Sequence, residues 1–525
     1  MSLSLRHFIP WLLALILTAS ETPAAPATRP NIMIILADDM GFSDLGCYGS
    51  EIATPHLDGL AETGVRFTQF YNTARCCPSR ASLLTGLYSH QAGVGHMIGD
   101  YGLPGYRGFL NENCVTLAEV LKGAGYRTLM TGKWHVGEKR PHWPLDRGFD
   151  RYLGLISGGS NYFRLDPERT MARDNESFRP DGIENFYLTD YFTDGAIAFL
   201  EDYKDEANPF FLYVAYTAPH WPLHAPQEDI NKYRGKYLKG WDALREERRH
   251  RMIELGLLDP KWELTARDEA APAWDQVEDK ELSDLKMAVY AAQIDRMDQN
   301  IGRLLSKLQE LGKRDNTLIL FLADNGGCAE EINRGTPGAP PGSPDSFLSY
   351  GLPWANASNT PFRLYKHWVH EGGISTPLIA SWPAVIREGR TTGEVGHVID
   401  LMPTCADVAQ AEYPKTHRGH EILPMEGKSL RAVLESGASL GERPIFWEHE
   451  GNRAVRVGKW KLVSKHPGAW QLFDLEADRS EMHNLADADP DRVARLAALY
   501  EDWAERCGAR DWEELQEIRK AKRNP

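Results

Sequence analysis

Four near-continuous apolar runs constrain the fold of this chain more than any other feature: Asn31–Leu36 (NIMIIL), Tyr126–Met130 (YRTLM), Phe210–Tyr216 (FFLYVAY) and Leu318–Leu322 (LILFL). Short runs with no polar alternation suit strands covered on both faces, as parallel strands are. Helical patterns lie between them. Thr116–Ala124 carries apolar positions at helical spacing and ends near Gly125. Leu285–Leu311 is the longest, with Ile294, Met297, Ile301, Leu304 or Leu305, and Leu308 recurring every three or four residues and Gly312 placed to stop it. Alternating strands and helices predict an α/β core with a large, mainly parallel or mixed sheet flanked by helices.

Each run is followed at once by polar residues. Asp38-Asp39 follows the first, Lys133-Trp134-His135 the second, His220 the third and Asp324-Asn325 the fourth. Open α/β sheets bind ligands outside the carboxyl ends of their strands, so the four clusters are expected to share one site. Residues 331–361, rich in Gly, Pro, Ser and Asn, read as a long surface loop, and the polar, charged segment 222–285 as an insertion near the site mouth. Near 440 the texture changes. Pro444–Trp447, Ala454–Val457, Lys459–Val463 and Trp470–Asp474 read as a small antiparallel sheet, followed by a helix from Pro490 to Cys507. The 525 residues thus divide into a signal peptide (1–25), a large α/β domain that carries the four clusters (28–435) and a C-terminal subdomain (436–525).

The signal-peptide reading rests on Arg6 and His7 before an apolar run, Phe8–Leu17, with small residues from Thr18 onward. An uncleaved anchor is the alternative. No later stretch is long and apolar enough to cross a bilayer, so a periplasmic or secreted enzyme with no membrane span in the mature chain is expected. A formal net charge of −15 argues against nucleic-acid binding through a basic surface. A site for an anion would have to carry its own cations. The seven cysteines, at 47, 76, 77, 114, 328, 405 and 507, form no dense framework. Export permits one or two bridges, with no pairing readable.

The sharpest motif is Cys76-Cys77-Pro78-Ser79-Arg80, continuing to Leu84-Thr85-Gly86. It resembles the type I sulfatase signature C-x-P-S-R-x-x-x-x-T-G in full, against a bland reading as a buried cysteine pair before a helix. The resemblance extends from Pro30 to about Leu485, including WQLFDLEADRSEMHNL, with a texture nearest bacterial arylsulfatases. It implies an alkaline-phosphatase-like core and hydrolysis of sulfate monoesters, aryl or carbohydrate. It also implies that Cys76 is oxidised to formylglycine (3-oxoalanine) by a formylglycine-generating or anaerobic sulfatase-maturating enzyme. A hydrated aldehyde carries two hydroxyls on one carbon. One attacks sulfur to give a sulfo-enzyme, and the other expels sulfate by reforming the carbonyl.

The same resemblance assigns the remaining site residues. Arg80 holds the hydrate and offsets sulfate charge. Gly132-Lys133-Trp134-His135 resembles the family's G-K-W-H element, with Lys133 on sulfate and the modified side chain, and His135 as the base for sulfate elimination. Thr217-Ala218-Pro219-His220 resembles another element, whose histidine protonates the leaving alcohol or binds the ester oxygen. Lys366, in PFRLYKHWVHEGGISTP, matches the lysine of K-x-x-x-x-E-G-G and reaches sulfate. Asp38, Asp39, Asp324 and Asn325 match the family's calcium ligands. These hard oxygens suit one Ca²⁺, with Mg²⁺ as the alternative, acting as Lewis acid and template. Asp324 is also placed to help deprotonate the attacking hydroxyl. His224 is read as part of the substrate mouth, His367 and His370 as structural or peripheral, and Glu371-Gly372-Gly373 as a tight turn. Tyr101, Tyr106, Trp143, Tyr162, Phe163 and Trp221 are either stacking platforms for substrate or packing residues. Three rivals stand beside this reading: a phosphonate monoester hydrolase or phosphodiesterase on the same scaffold, a non-catalytic binder of sulfated glycans, and a zinc alkaline phosphatase, which would use Ser or Thr and His-rich metal sites.

Overall fold

The computed structural model describes residues 29–523, so the signal-peptide expectation for 1–25 lies outside the described residues. The central sheet has eleven strands: β1 (Asn31–Asp38), β2 (Val65–Tyr71), β3 (Arg127–Lys133), β4 (Arg151–Leu155), β5 (Met171–Arg173), β6 (Glu176–Phe178), β7 (Phe210–Pro219), β8 (Thr317–Ala323), β9 (Ser375–Ser381), β10 (Arg390–Thr392) and β11 (Gly396–His397). Their order is β10-β2-β9-β8-β1-β7-β3-β4-β5-β6, with β11 also on β2. The five strands β8-β1-β7-β3-β4 are parallel, and antiparallel pairs extend the sheet on both sides. The four apolar runs are therefore four adjacent central strands.

Strand β1 explains why the runs are continuous. Met33 and Ile35 enter the core on one face of the sheet, while Ile32, Ile34 and Leu36 enter the core on the other. Both faces of the pleat are buried, so positions Ile32–Ala37 are all apolar and polar residues stand only at the strand's two ends, Asn31 and Asp38. The 31-residue helix Lys280–Glu310 covers the first face, capped by Asp279, whose carboxylate accepts the Leu282 N–H. Gly312, at φ +64°, ends it in the left-handed region. Helix Leu117–Gly123 lies in the second core, with Thr116 and Glu119 forming a reciprocal capping box.

One loop reading needs correction. Within 331–361, residues Leu352–Ser358 form a helix whose Trp354, Ala355 and Ala357 are buried in the core. Segment 222–285, read as an insertion, is anchored in the core. Its helix Trp241–Glu254 sends Leu244 and Met252 into the main core and buries Arg248 against Asp44 (2.6 Å) and Glu51 (2.9 Å). All seven cysteines are free, buried thiols. No described helix is long and apolar enough to cross a membrane.

The C-terminal sheet consists of Pro444–His449, Asn452–Val457, Trp460–Ser464 and Gln471–Asp474, all antiparallel. Its alternation divides two contacts. Phe446, Val455, Leu462 and Leu472 meet Leu496, Tyr500 and Trp503 of helix Pro490–Cys507, while Trp447, Ala454, Val463 and Phe473 meet Tyr71, Val369 and Ile374 beside the central sheet. A buried charge network crosses the second contact. Lys461 Nζ binds Glu371 (2.9 Å) and Glu481 (2.8 Å), and Arg479 binds Glu371 (3.3 Å). Glu371, read as part of a turn, sits in the short helix Glu371–Ile374 and centres this network. Removing one partner strands carboxylates without water. Lys461→Met is therefore expected to destabilise the protein by about 3–5 kcal/mol, seen as a lowered urea midpoint.

Candidate active site

Because β8, β1, β7 and β3 are neighbours, their carboxyl ends lie side by side, and the four polar clusters meet there. Cys76 opens the ten-residue helix Cys76–Thr85, which ends at Gly86 in the left-handed region. The motif serine holds the approach to this helix: Ser79 Oγ accepts the Thr73 N–H at 3.0 Å. Arg80 lies one helical turn beyond Cys76, on the same face. Its Nε and Nη2 donate to Asp324 Oδ2 (3.1 and 2.7 Å) and its Nη1 to the Lys133 carbonyl (3.0 Å). Arg80 is thus tied to a carboxylate and to the end of β3.

The Cys76 thiol lies 3.6 Å from His135 Nδ1. A hydrogen bond from Cys77, with the charge of Lys133 and the nearby His135, holds it well below the usual thiol range despite burial. Burial pushes the neighbouring Cys77 thiol well up. Lys133 Nζ donates to Asp38 Oδ2, and Lys366 Nζ donates to Asp39 Oδ2 at 2.8 Å. Burial alone would lower both lysines, but Asp38 and Asp39 hold them protonated. His220 Nδ1 lies 2.6 Å from the Trp221 carbonyl, which only accepts, so that nitrogen carries hydrogen. His220 Nε2, 3.4 Å from Asp39 Oδ2, is left as the nitrogen that gains or gives the second proton. Burial, the largest influence, pushes His135 down to about 4, so it is a neutral base at pH 7.

All ten residues singled out in the sequence converge on this place. Asp38, Asp39, Asp324 and Asn325 are buried at the ends of β1 and β8. Asp39 N–H donates to Asp324 Oδ1 (3.3 Å), and Asn325 Nδ2 donates to Asp39 Oδ1 (2.7 Å). Asp38 Oδ1 and Asn325 Oδ1 are buried and make no hydrogen bond to the described residues. Burial and the facing Asp38 push the Asp324 carboxyl well up, while Lys133, His220 and Arg80 outweigh burial to pull Asp38 down. Crowded carboxylates with two orphaned hard oxygens fit a divalent, oxygen-seeking cation. Asp39 and His135 both hold positive φ (64° and 56°), backbone strain of the kind that clusters at functional sites.

Neighbouring residues shape this place. A Cβ on Gly132 would lie 1.9 Å from the Ala215 carbonyl oxygen, so the close β3–β7 approach before Lys133 requires glycine. A Cβ on Gly158 would lie 2.5 Å from Cε1 and Nε2 of His135. Gly158→Ala is therefore expected to displace this ring and lower kcat by about 10- to 100-fold with a smaller change in KM, measured by steady-state kinetics. Arg75 pairs with Glu330 at 3.2 Å, and Trp221 Nε1 donates to Glu330 at 2.8 Å. His224 does not belong to the mouth: it is fully buried, with Nε2 2.7 Å from the Ser346 carbonyl and Nδ1 accepting the Tyr162 N–H. Tyr101, Tyr106, Trp143 and Tyr162 are buried packing residues. Phe163 packs on Tyr187 and His224, whereas half-buried Trp221 lies against the His220 ring at 4.6 Å.

Comparison with known proteins places this geometry in context. The family model described as Sulfatase matches residues 30–411, and one described as N-sulphoglucosamine sulphohydrolase, C-terminal, matches 362–502. An uncharacterized sulfatase of Schizosaccharomyces pombe is 36% identical over 90% of this chain and 93% of its own. An arylsulfatase of Klebsiella aerogenes is 35% identical over 79% of this chain and 94% of its own. The crystal structure of Ps i-CgsB in complex with k-i-k-neocarrahexaose superimposes with a TM-score of 0.68 at 26% identity, covering 91% of this chain and 93% of that one.

Proposed function

The chain belongs to the sulfatase family, with its alkaline-phosphatase-like fold and its sulfate-ester hydrolysis, and from that premise we propose a formylglycine-dependent hydrolase of sulfate monoesters acting at Cys76. One observation carries the proposal: Arg80, Lys133, His135, His220 and Lys366 surround the Cys76 end of its helix together with the four oxygen donors. Once Cys76 is converted to formylglycine, its hydrate would supply one hydroxyl to attack sulfur and a second to expel sulfate. Asp38, Asp39, Asp324 and Asn325 would hold a calcium ion, which would supply Lewis-acid charge at the sulfate.

The chain's own residues do the rest. Arg80, Lys133 and Lys366 set three cations against the carboxylates of Asp38, Asp39 and Asp324, so the protein's contribution is close to neutral. A divalent ion makes the site positive, enough for a sulfate monoester monoanion and less suited to a phosphate monoester dianion. Lys133 and Lys366 offer ammonium donors that orient the sulfate and offset its charge. His220 delivers the Nε2 proton to the alcohol oxygen as its bond to sulfur breaks. Neutral His135 withdraws the proton whose loss frees sulfate. Beside His220, the Trp221 ring is flanked by Arg334 (5.3 Å) and Phe347 (5.9 Å), a surface that favours a flat or ring-bearing leaving group, aryl or sugar. Export to the periplasm or medium, and maturation by a formylglycine-generating or anaerobic sulfatase-maturating enzyme, belong to the same reading.

Matched panels of aryl sulfates, sulfated sugars, phosphonate monoesters and phosphodiesters test it. Sulfate monoesters are expected to give the highest kcat/KM, with an acid limb in kcat near pH 4, below which His135 gains a proton and ceases to be a base. Preferred cleavage of phosphonates or phosphodiesters transfers the chain to that rival chemistry. Sulfated-sugar binding without turnover in matured protein transfers it to a glycan-binding role.

A further inference from the structure

We propose a second metal site, of zinc-type chemistry, in which His96, His449 and Glu450 are the ligands and His367 positions the carboxylate. Three distant segments build it: the loop after helix Cys76–Thr85, the stretch just before Glu371, and the turn joining the first two strands of the C-terminal sheet. One donor atom from each of His96, His449 and Glu450 lies within 4.8 Å of the others. His96 Nε2 is 2.7 Å and His449 Nε2 3.8 Å from the same oxygen, Glu450 Oε1. These values bracket the separation of about 3.3 Å between ligands of a tetrahedral ion with bonds near 2.0–2.1 Å.

The independent observation is His449. It is fully buried, and neither ring nitrogen makes a hydrogen bond to the described residues. A buried imidazole left this way is costly, yet its Nε2 faces the oxygen that His96 also faces. The surrounding contacts suit ligation. His96 Nδ1 lies 3.2 Å from the Tyr101 hydroxyl, the kind of outer hydrogen bond that orients a ligand histidine, and Nε2, now hydrogen-bonded to Glu450 Oε1, is the nitrogen turned to the ion's place. Asn452 Nδ2 also donates to the His449 carbonyl, and it lies 3.3 Å from His367 Nε2, which makes that nitrogen the acceptor. His367 Nδ1 therefore donates to Glu450 Oε2 at 2.8 Å and orients the carboxylate instead of binding the ion. Two imidazoles and one carboxylate leave a coordination position open, and soft-to-borderline nitrogen donors separate this site from the all-oxygen cluster at β1 and β8. His367 N–H also binds the Ala74 carbonyl at 2.8 Å, two residues before Cys76. A metal here would clamp the C-terminal hairpin to the nucleophile's loop.

The test uses full-length protein and Zn²⁺ or Co²⁺ alone, read without activity. The other two donor groups, Cys76–Cys77–His135 and Asp38–Asp39–His220, are disabled in a Cys76→Ala/Asp39→Asn background. After chelation and reloading, that protein is expected to retain one Zn²⁺ per chain through desalting, with a submicromolar Kd. His449→Ala and Glu450→Gln should each weaken binding at least 100-fold, with near-ultraviolet circular dichroism unchanged. Bound Co²⁺ should show the visible bands of four- or five-coordination with nitrogen ligands, which needs no further variant. Zn²⁺ that fails to bind below millimolar concentration, retention unaffected by His449→Ala, or a six-coordinate all-oxygen Co²⁺ spectrum would each overturn the proposal.

Discussion

Cys76→Ala is expected to lower kcat for sulfate-ester hydrolysis by on the order of 10⁴-fold or more while the fold survives, because removing the nucleophile leaves only binding and charge stabilisation. Cys77→Ala is expected to stay within about tenfold of wild type. The two thiols adjoin in sequence but not in environment. Cys76 faces His135 at 3.6 Å and is drawn toward its ionised form, whereas Cys77 is driven by burial toward its neutral form. Steady-state kinetics on both variants, with circular dichroism to check folding, decides it. Equal losses in the two would deny Cys76 its special place.

Removal of the metal is the second large effect. Exhaustive chelation is expected to lower kcat by about 10²- to 10³-fold, since a Lewis acid supplies several kcal/mol of charge stabilisation. Added Ca²⁺ should restore it, and Asp38→Ala protein should not respond. The orphaned Asp38 Oδ1 and Asn325 Oδ1, with Asp324 crowded by Asp38, also make the ion a stabiliser. At a hundred times its Kd a ligand adds about 2.7 kcal/mol, so the melting temperature should rise with Ca²⁺ in wild type and not in Asp38→Ala. Full activity in protein shown to be metal-free would contradict the assignment.

Asp38-Asp39, Lys133, His135, His220 and Asp324-Asn325 were legible because they follow strands whose burial on both faces writes itself as unbroken apolar runs, whereas Cys76, Arg80 and Lys366 were read from the motifs around them. Asn31–Leu36 and Leu318–Leu322 needed no partner to be recognised, and strand adjacency then brought Asp38 and Asp324 together. The C-terminal sheet was legible for the related reason that each strand alternates between two cores. What escaped notice depends on contacts between distant segments. Leu352–Ser358 hides in Gly- and Pro-rich sequence because its burial, not its propensity, makes it helical. His224 looked like a mouth residue by its proximity to His220, yet the Ser346 carbonyl claims it. Glu371 reads as part of a turn until Lys461 and Arg479 arrive from the C-terminal region. His96, His367 and His449 are scattered singles in the sequence, and only the fold brings them to one carboxylate.

The central claim is that Cys76, and not Cys77, becomes the reacting aldehyde. Mass spectrometry of the peptide spanning Thr73–Arg80, from protein made in its native host, tests it most directly when the same sample is assayed for sulfate release. The account predicts an aldehyde at Cys76, an unmodified Cys77 and turnover in proportion to the converted fraction. An unmodified Cys76 in active protein, or conversion at Cys77 instead, would contradict it.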